Sequence, residues 1–224
     1  MTQKKNKPVD PYVSPQLILT LDVRRTLDST CFRQILQTKS FACVILYDSG
    51  DDAAFLQKRA QIYAEDIQSN EAALVISGEN RIAERIKADG FHLEGDISAL
   101  ENLKNQKKEQ KIRGFGNVRN RHYAMVAAEA GTDYLLFGKL GADKKPHPHA
   151  RNIQLAQWWA EIMEIPAVIQ AGSDFATFDE VLQTGCEFIA IEEIIFSHDA
   201  PLVMLNRIKE KCKNFPLLME KTHP

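Results

Sequence analysis

Eight short apolar runs punctuate the chain, and after each comes a stretch able to form a helix. The runs are Leu17 to Val23, Phe41 to Tyr47, Ala72 to Ser77, Gly90 to Glu94, Lys111 to Asn117, Tyr134 to Leu140, Ala167 to Gly172 and Phe188 to Ile194. Nearly all are continuous rather than alternating, which is how a strand reads when both of its faces are buried in a parallel sheet covered by helices. Eight such units favour closure into a single (β/α)8 barrel of the α/β class over an open doubly wound sheet. No Gly-x-Gly-x-x-Gly follows a strand, so a dinucleotide fold gains nothing.

The length, 224 residues with 44% hydrophobic content, suits one such domain. The expected division is a flexible arm over 1–16, the barrel over 17–213 and a loosely attached tail over 214–224. A formal net charge of −2 gives no reason to expect nucleic acid or a membrane surface as partner. The basic tract Lys104 to Lys111 reads as the solvated end of an outer helix, since no aromatic platform accompanies it. Cys31, Cys43, Cys186 and Cys212 contain no Cys-x-x-Cys pair, which fits reduced, mostly buried thiols. The N-terminus lacks an apolar core before Leu17 and no run approaches the ~20 apolar residues of a bilayer span, so a cytoplasmic protein is expected.

A weak internal repeat supports the modular reading. The turn before strand six, Gly131-Thr132-Asp133, has counterparts around Asp89 and Glu187, each just ahead of an apolar run. Between the runs, Asp28 or Ser29 caps a helix burying Phe32, Ile35 and Leu36. The segment from Gly50 to Ile67 places Phe55, Leu56, Ala60, Ile62 and Tyr63 near one face. Helices are also expected from Glu79 to Lys87, from Val118 to Ala130 with Ala124, Met125 and Ala128 inward, and from Ala150 to Met163 with Ile153, Ala156, Trp159 and Ile162 as inward candidates. One more is capped near Ser173 or Asp174, and the last starts near Asp199 or Pro201. Trp158-Trp159 on an outer helix reads as packing or as an oligomer contact, which leaves a homodimer open.

Three segments carry a resemblance. Ala88 to Asp96, Gly116 to Leu140 and Ile165 to Phe196 resemble the second half of thiamine phosphate synthase and of its relative, the thiazole tautomerase. The likeness continues into the first third of the chain only in rhythm. It implies a transferase of thiamine biosynthesis that couples hydroxymethylpyrimidine diphosphate with thiazole phosphate at the C-terminal barrel mouth. Mg2+ and cations would serve the diphosphate there, and backbone amides the thiazole phosphate.

Position by position, the chain departs from that pattern. The Gln-x-Arg-x-Lys ending of the family's second strand falls on Ile45 to Gly50, where Asp48 stands and the cations are gone. Asn-Asp-Arg after the third strand falls on Ser77-Gly78-Glu79. Leu93-Glu94-Gly95-Asp96 follows His92 and retains a carboxylate in Glu94 or Asp96. Gly-x-Ser-x-His leads to Asn117 and Arg119, with His122 one helical turn on, and the Pro-Thr-x-Thr-Lys loop becomes Ala142 to Pro146, keeping a lysine and losing both hydroxyls. The Gly-Gly phosphate turn is Ala171-Gly172, and the serine after strand eight is Glu193 beside Glu192. Like charges about 4 Å apart repel by several kcal/mol at an effective dielectric near 20, which opposes phosphate there.

The candidate ligand residues are therefore Asp22, Asp48, His92, Glu94, Asn117, Arg119, Lys139, Lys145, Gln170, Gly172 and Glu193. Asp48, Glu94 and Glu192 are the candidate oxygen ligands for a divalent ion, Mg2+ by resemblance, in an acidic mouth. A structural alternative pairs these carboxylates with Arg24, Lys139 or Lys144. His147-Pro148-His149 reads as a polar loop before a metal loop. The expected partner is a small molecule at the mouth and the expected family activity is weak or lost. The alternatives are a non-catalytic paralogue binding a thiamine-related or cationic ligand, or another isomerase or lyase on the same barrel.

Overall fold

A computed structural model of the chain describes residues 12–78, 80–95, 98–100, 111–215 and 217–218, without the side chains of 12, 13, 217 and 218. Eight parallel strands close into a barrel in chain order. They are β1 (Gln16–Asp22), β2 (Phe41–Tyr47), β3 (Ala73–Ser77), β4 (Gly90–Glu94), β5 (Ile112–Gly116), β6 (Tyr134–Phe137), β7 (Ala167–Gln170) and β8 (Phe188–Ile191). β1 pairs with β2 on one side and β8 on the other, so the sheet has no edge. The described helices are α1 (Ser29–Gln37), α2 (Ala53–Ser69), α3 (Asn80–Arg85), α4 (Arg121–Glu129), α5 (Ala150–Ile162), α6 (Phe178–Leu182), α7 (Glu193–Phe196) and α8 (Pro201–Lys213).

Two cores result from the two faces of the sheet. The larger lies between strands and helices, around Leu19, Leu46, Ile76, Phe115, Leu135 and Trp159. The smaller fills the barrel interior with Ile18, Cys43, Ile45, Val75, Leu136, Val168 and Ala190. Because inward positions recur every second residue, each strand can be followed from base to mouth. Ile18 gives way to Thr20 and Asp22, Val75 to Ser77, Val168 to Gln170, and Ala190 to Glu192. The interior is apolar at its base and polar at its C-terminal end, and that gradient places the site.

The helices are capped as their sequences demand. Asp28 accepts from the N–H groups of Thr30 and Cys31 ahead of α1, whose buried face is Phe32, Ile35 and Leu36. Asp52 does the same for Ala54 and Phe55 ahead of α2. Some expected core positions face water instead: Ile62, Met125 and Ile162 are exposed, while the expected Leu56, Ala60, Ala124, Ala156 and Trp159 are buried and are joined by Ile67, Ala127, Leu155 and Ala160. The run at Phe188 to Ile194 does not remain a strand. It leaves the sheet after Ile191, and the apolar Ile194 and Ile195 belong to α7. The Lys104 to Lys111 tract lies outside the described residues, apart from Lys111.

The repeated acidic residue has one structural role in all three modules. Asp89 accepts from the Leu74 N–H at 2.7 Å, Asp133 from Arg113 N–H at 2.9 Å and Glu187 from Ala167 N–H at 2.9 Å. Each sits just before an even-numbered strand and clamps the start of the odd-numbered strand beside it, at the end of the barrel away from the mouth. At the same end, Tyr12–Val13 pairs antiparallel with Leu217–Leu218. Of the residues expected in the arm and the tail, Tyr12–Val13 and Leu217–Leu218 are thus ladder partners, and the first barrel strand begins at Gln16.

Candidate ligand site at the barrel mouth

The polar ends of the strands form two unlike sectors. In the first, from β8 through β1 to β2, the Glu192 side chain is fully buried. Its Oε1 accepts from the Asp22 N–H at 3.0 Å and from Arg25 Nε at 3.3 Å. Its Oε2 accepts from the Tyr47 hydroxyl at 2.8 Å and from the Thr20 hydroxyl at 3.4 Å. Burial raises the Glu192 pKa to about 7, against the opposing hydrogen bonds of Asp22 and Tyr47, with the nearby Asp143 charge adding to the rise. Burial, then the charge of Glu192, pushes the Tyr47 hydroxyl up as well, so it stays a donor.

Asp143 completes this sector. It is buried at 4% exposure, its Oδ2 accepts from the Glu193 N–H at 2.9 Å, and its Oδ1 is buried with no hydrogen-bond partner among the described residues. Burial is the main cause of its raised pKa, and the Glu193 charge adds to it. Arg25 also pairs with the Glu193 carboxylate. Two carboxylates, Glu192 and Glu193, thus share one guanidinium, and burial favours the neutral forms of Glu192 and Asp143 beside them. Arg24, the preceding residue, turns the other way and grips Asp48 at 2.5 and 3.1 Å. Burial opposes the Asp48 charge, but this bond, the Asp52 and Gly50 N–H groups and the Arg24 charge hold its carboxyl below the usual range.

The second sector, from β4 to β7, is built on glycines. A Cβ on Gly114 would lie 2.2 Å from Tyr134 and 2.6 Å from His92 Nδ1, and one on Gly116 would lie 2.5 Å from His92 Nε2. The absent side chains make room for His92, which is fully buried, stacked on Tyr134 and hydrogen-bonded to its hydroxyl at 2.9 Å through Nδ1. Its Nε2 has no hydrogen-bond partner among the described residues and lies 3.9 Å from Glu94 Oε1. Gln170 leans over Gly138, accepts from the Lys139 N–H at 3.0 Å, and keeps a buried Nε2 likewise unpartnered among the described residues. Asn117, at the exit of β5, adopts φ 57° and donates its N–H to the Gly138 carbonyl at 2.7 Å.

Above both sectors lies the segment from Lys139 to His149. Leu140 N–H donates to Glu94 Oε1 at 2.8 Å, and a Cβ on Gly141 would lie 3.1 Å from the Tyr47 hydroxyl of β2, on the opposite side of the ring from β6. Farther on, Ser173 N–H donates to the Lys145 carbonyl at 2.8 Å and Asp174 N–H to that of Pro146 at 3.2 Å. The turn after β7 and the first turn of α7, where barrels of this kind often seat a phosphate, have these amides already satisfied by the chain itself.

With this geometry the comparisons become legible. The profile of a family described as thiamine monophosphate synthase matches residues 20–195, well over half of the chain. The chain belongs to that family. A thiamine-phosphate synthase of Erythrobacter litoralis is 29% identical over 150 residues, 64% of this chain and 70% of its own length. Another from Rhodospirillum centenum is 28% identical over 169 residues, 74% of this chain and 80% of its own. Among solved structures, thiamine phosphate pyrophosphorylase from Pyrococcus furiosus superposes with a TM-score of 0.71 at 17% identity, covering 89% of this chain and 96% of that one. A (S)-3-O-geranylgeranylglyceryl phosphate synthase from Thermoplasma acidophilum, in complex with sn-glycerol-1-phosphate, gives 0.60 at 15%, covering 90% and 94%. At those identities the two structures speak for the fold alone.

Within this family frame, the candidate residues do stand at the C-terminal strand ends, but they do not act as one set. Asp48, Glu94 and Glu192, expected as metal oxygens, are separately engaged by Arg24, Leu140 N–H and the Tyr47–Asp22 donors. Among the described residues no three His, Cys, Asp or Glu side chains converge on a possible metal position. Asp96, the other retained carboxylate, lies outside the described residues. The expected acidic rim is inverted. Carboxylates turn inward, while Arg24, Arg119, Lys139, Lys144 and Lys145 are exposed, and the pairing cations are Arg24 and Arg25 rather than the lysines. Gly172 is covered, since a Cβ there would meet the Pro146 carbonyl at 2.1 Å. His122 is exposed on α4, His147 bonds Glu180 at 2.8 Å, and His149 caps α5.

Sequence reasoning missed Asp143, Tyr47, Thr20 and Tyr134. The glycines of β5 were a readable signal for close approach, and they receive His92 as that signal implies. Asp143 had no such signal, because its partner Glu193 opens α7, 50 residues away in sequence.

Proposed function

We propose that this chain is a divergent thiamine-phosphate-synthase-like barrel in which the coupling of hydroxymethylpyrimidine diphosphate with thiazole phosphate is weak or lost. The observation that carries this reading is the state of the β7 and β8 exits. Ser173, Asp174 and Glu193 give their amides to the chain's own carbonyls and to Asp143. A thiazole phosphate would have to displace these partners and then lie beside Glu192 and Glu193, at a cost of several kcal/mol. Replacement of the cationic ending of the second strand by Asp48, itself paired with Arg24, supports the same reading. The test is the purified protein with both substrates and Mg2+, together with complementation of a thiamine auxotroph lacking its synthase. Neither product nor growth is expected, and turnover at the rate of an active family member refutes the reading.

A second reading, favoured by the two buried side-chain nitrogens of His92 and Gln170 that lack a partner among the described residues, is a family member that binds a small polar ligand between β4 and β7. Glu94, 3.9 Å from His92 Nε2, would orient it. Calorimetric titration with thiamine-related pyrimidines and thiazoles that lack phosphate tests this: saturable heat lost in His92→Phe supports it, and no heat with any of them removes it.

A further inference from the structure

The segment from Lys139 to His149 is more than a connection between β6 and α5. It leaves β6, meets Glu94 of β4 and Tyr47 of β2, inserts Asp143 beneath the first turn of α7 after β8, and ends against the turn after β7. Strands β6 and β2 face one another across a closed ring, and the segment leaving β6 meets the hydroxyl end of the Tyr47 side chain, which reaches inward from β2 to Glu192. The segment's anchorage on the far side is mostly backbone. The carbonyls of Lys144, Lys145 and Pro146 accept from Ser173 Oγ, Ser173 N–H and Asp174 N–H, and the Pro146 carbonyl also accepts from the Thr177 hydroxyl at 2.9 Å. Gly172 lies directly against the Pro146 carbonyl and the His147 backbone, with no space for a methyl group. Asp143 and Pro148 are buried, while Lys144, Lys145 and His147 between them face water.

We propose that residues 139–149 form a strap that closes the mouth and opens as one unit, with Gly172 as its seat and Asp143 as its pin, so that its opening controls entry to the polar interior. The reasoning is cooperative. Releasing the Pro146 carbonyl breaks its bonds from the Asp174 amide and the Thr177 hydroxyl together, and lifting Asp143 off the Glu193 amide removes the link to α7. None of these contacts belongs to a sheet or helix ladder, so the strap can part from the barrel while the barrel stays folded. The inference rests on the reading that the β7 and β8 amides are occupied from within, and it adds that this occupation is reversible.

Amide hydrogen exchange on the full-length protein tests it at chosen residues. Ser173, Asp174 and Glu193 report the strap, while Leu74, Arg113 and Ala167, clamped at the opposite end of the barrel, report global unfolding. In the wild type the three strap amides should exchange with closely similar protection, well below that of the clamp amides. Gly172→Ala should accelerate the strap amides about tenfold or more and leave the clamp amides unchanged. Thr177→Val, which removes the hydroxyl shared between the Pro146 and Asp174 carbonyls, should give a smaller rise at the same three amides and serves if Gly172→Ala does not fold. Unrelated protection factors among the strap amides, or strap exchange unaffected by Thr177→Val, overturns the proposal. Synthase turnover in the wild type would refute the functional reading above and leave these exchange results standing.

Discussion

Burial removes Glu192 from water while four donors approach its two oxygens, and the first effect dominates, raising its pKa from 4.5 to about 7. The fold thus binds this proton more tightly than the unfolded chain does. The contribution is fully present below about 4.5 and is lost as pH rises through about 7. Asp143, raised by the same burial, acts with the same sign. Unfolding in urea should therefore show stability falling by on the order of 2–3 kcal/mol between these limits, and Glu192→Gln should flatten the slope near neutrality. Asp48 acts oppositely: its lowered pKa adds stability above the ordinary carboxylate range, lost as pH falls through its depressed value. A second residue-scale expectation concerns packing. In Gly114→Ala the new methyl would lie 2.2 Å from Tyr134 and 2.6 Å from His92, so the stacked pair must move. A loss of about 2 kcal/mol or more is expected, read as a lowered thermal midpoint.

At the scale of elements, the three acidic clamps make equivalent modules of different sequences. Each carboxylate receives one backbone N–H from the neighbouring strand, so Asp89→Ala and Asp133→Ala should each cost about 1–2 kcal/mol in urea unfolding. Their effects should add, since the residues clamp different strand pairs. This regularity was legible in the chain, because an acidic residue ahead of an apolar run is a local feature. So were the eight strands, whose continuous apolar runs need no knowledge of their partners. Strand ends were less legible. Ile194 and Ile195 extend the apolar run of β8, yet they pack inward from α7 after the chain has turned. Ile62, Met125 and Ile162 fell on the right elements and the wrong faces, since helical spacing leaves neighbouring faces nearly equivalent when small residues can fill the core.

For the molecule as a whole, barrel closure decides which polar residues meet. Sequence order places Asp22, Asp48, Glu94 and Glu192 at one mouth, which was foreseeable. It does not say that Arg24 and Arg25 diverge to serve separate carboxylates, because that depends on which way each side chain leaves the end of β1. It says even less about the strap, whose contacts join a loop to four other strand ends. Among the described residues no helix is long and apolar enough to cross a membrane.

The short ladder between Tyr12–Val13 and Leu217–Leu218 bears on how the protein loses structure. Neither pair of residues is a barrel strand, and each is the other's ladder partner. The two segments therefore share a single free energy, and disrupting either one forfeits all of it. Val13→Pro and Leu217→Pro should each cost about 1 kcal/mol or less, and the double variant no more than the costlier single one. In a double-mutant cycle the coupling would equal the whole effect, the signature of two distant stretches of sequence that come away from the barrel together.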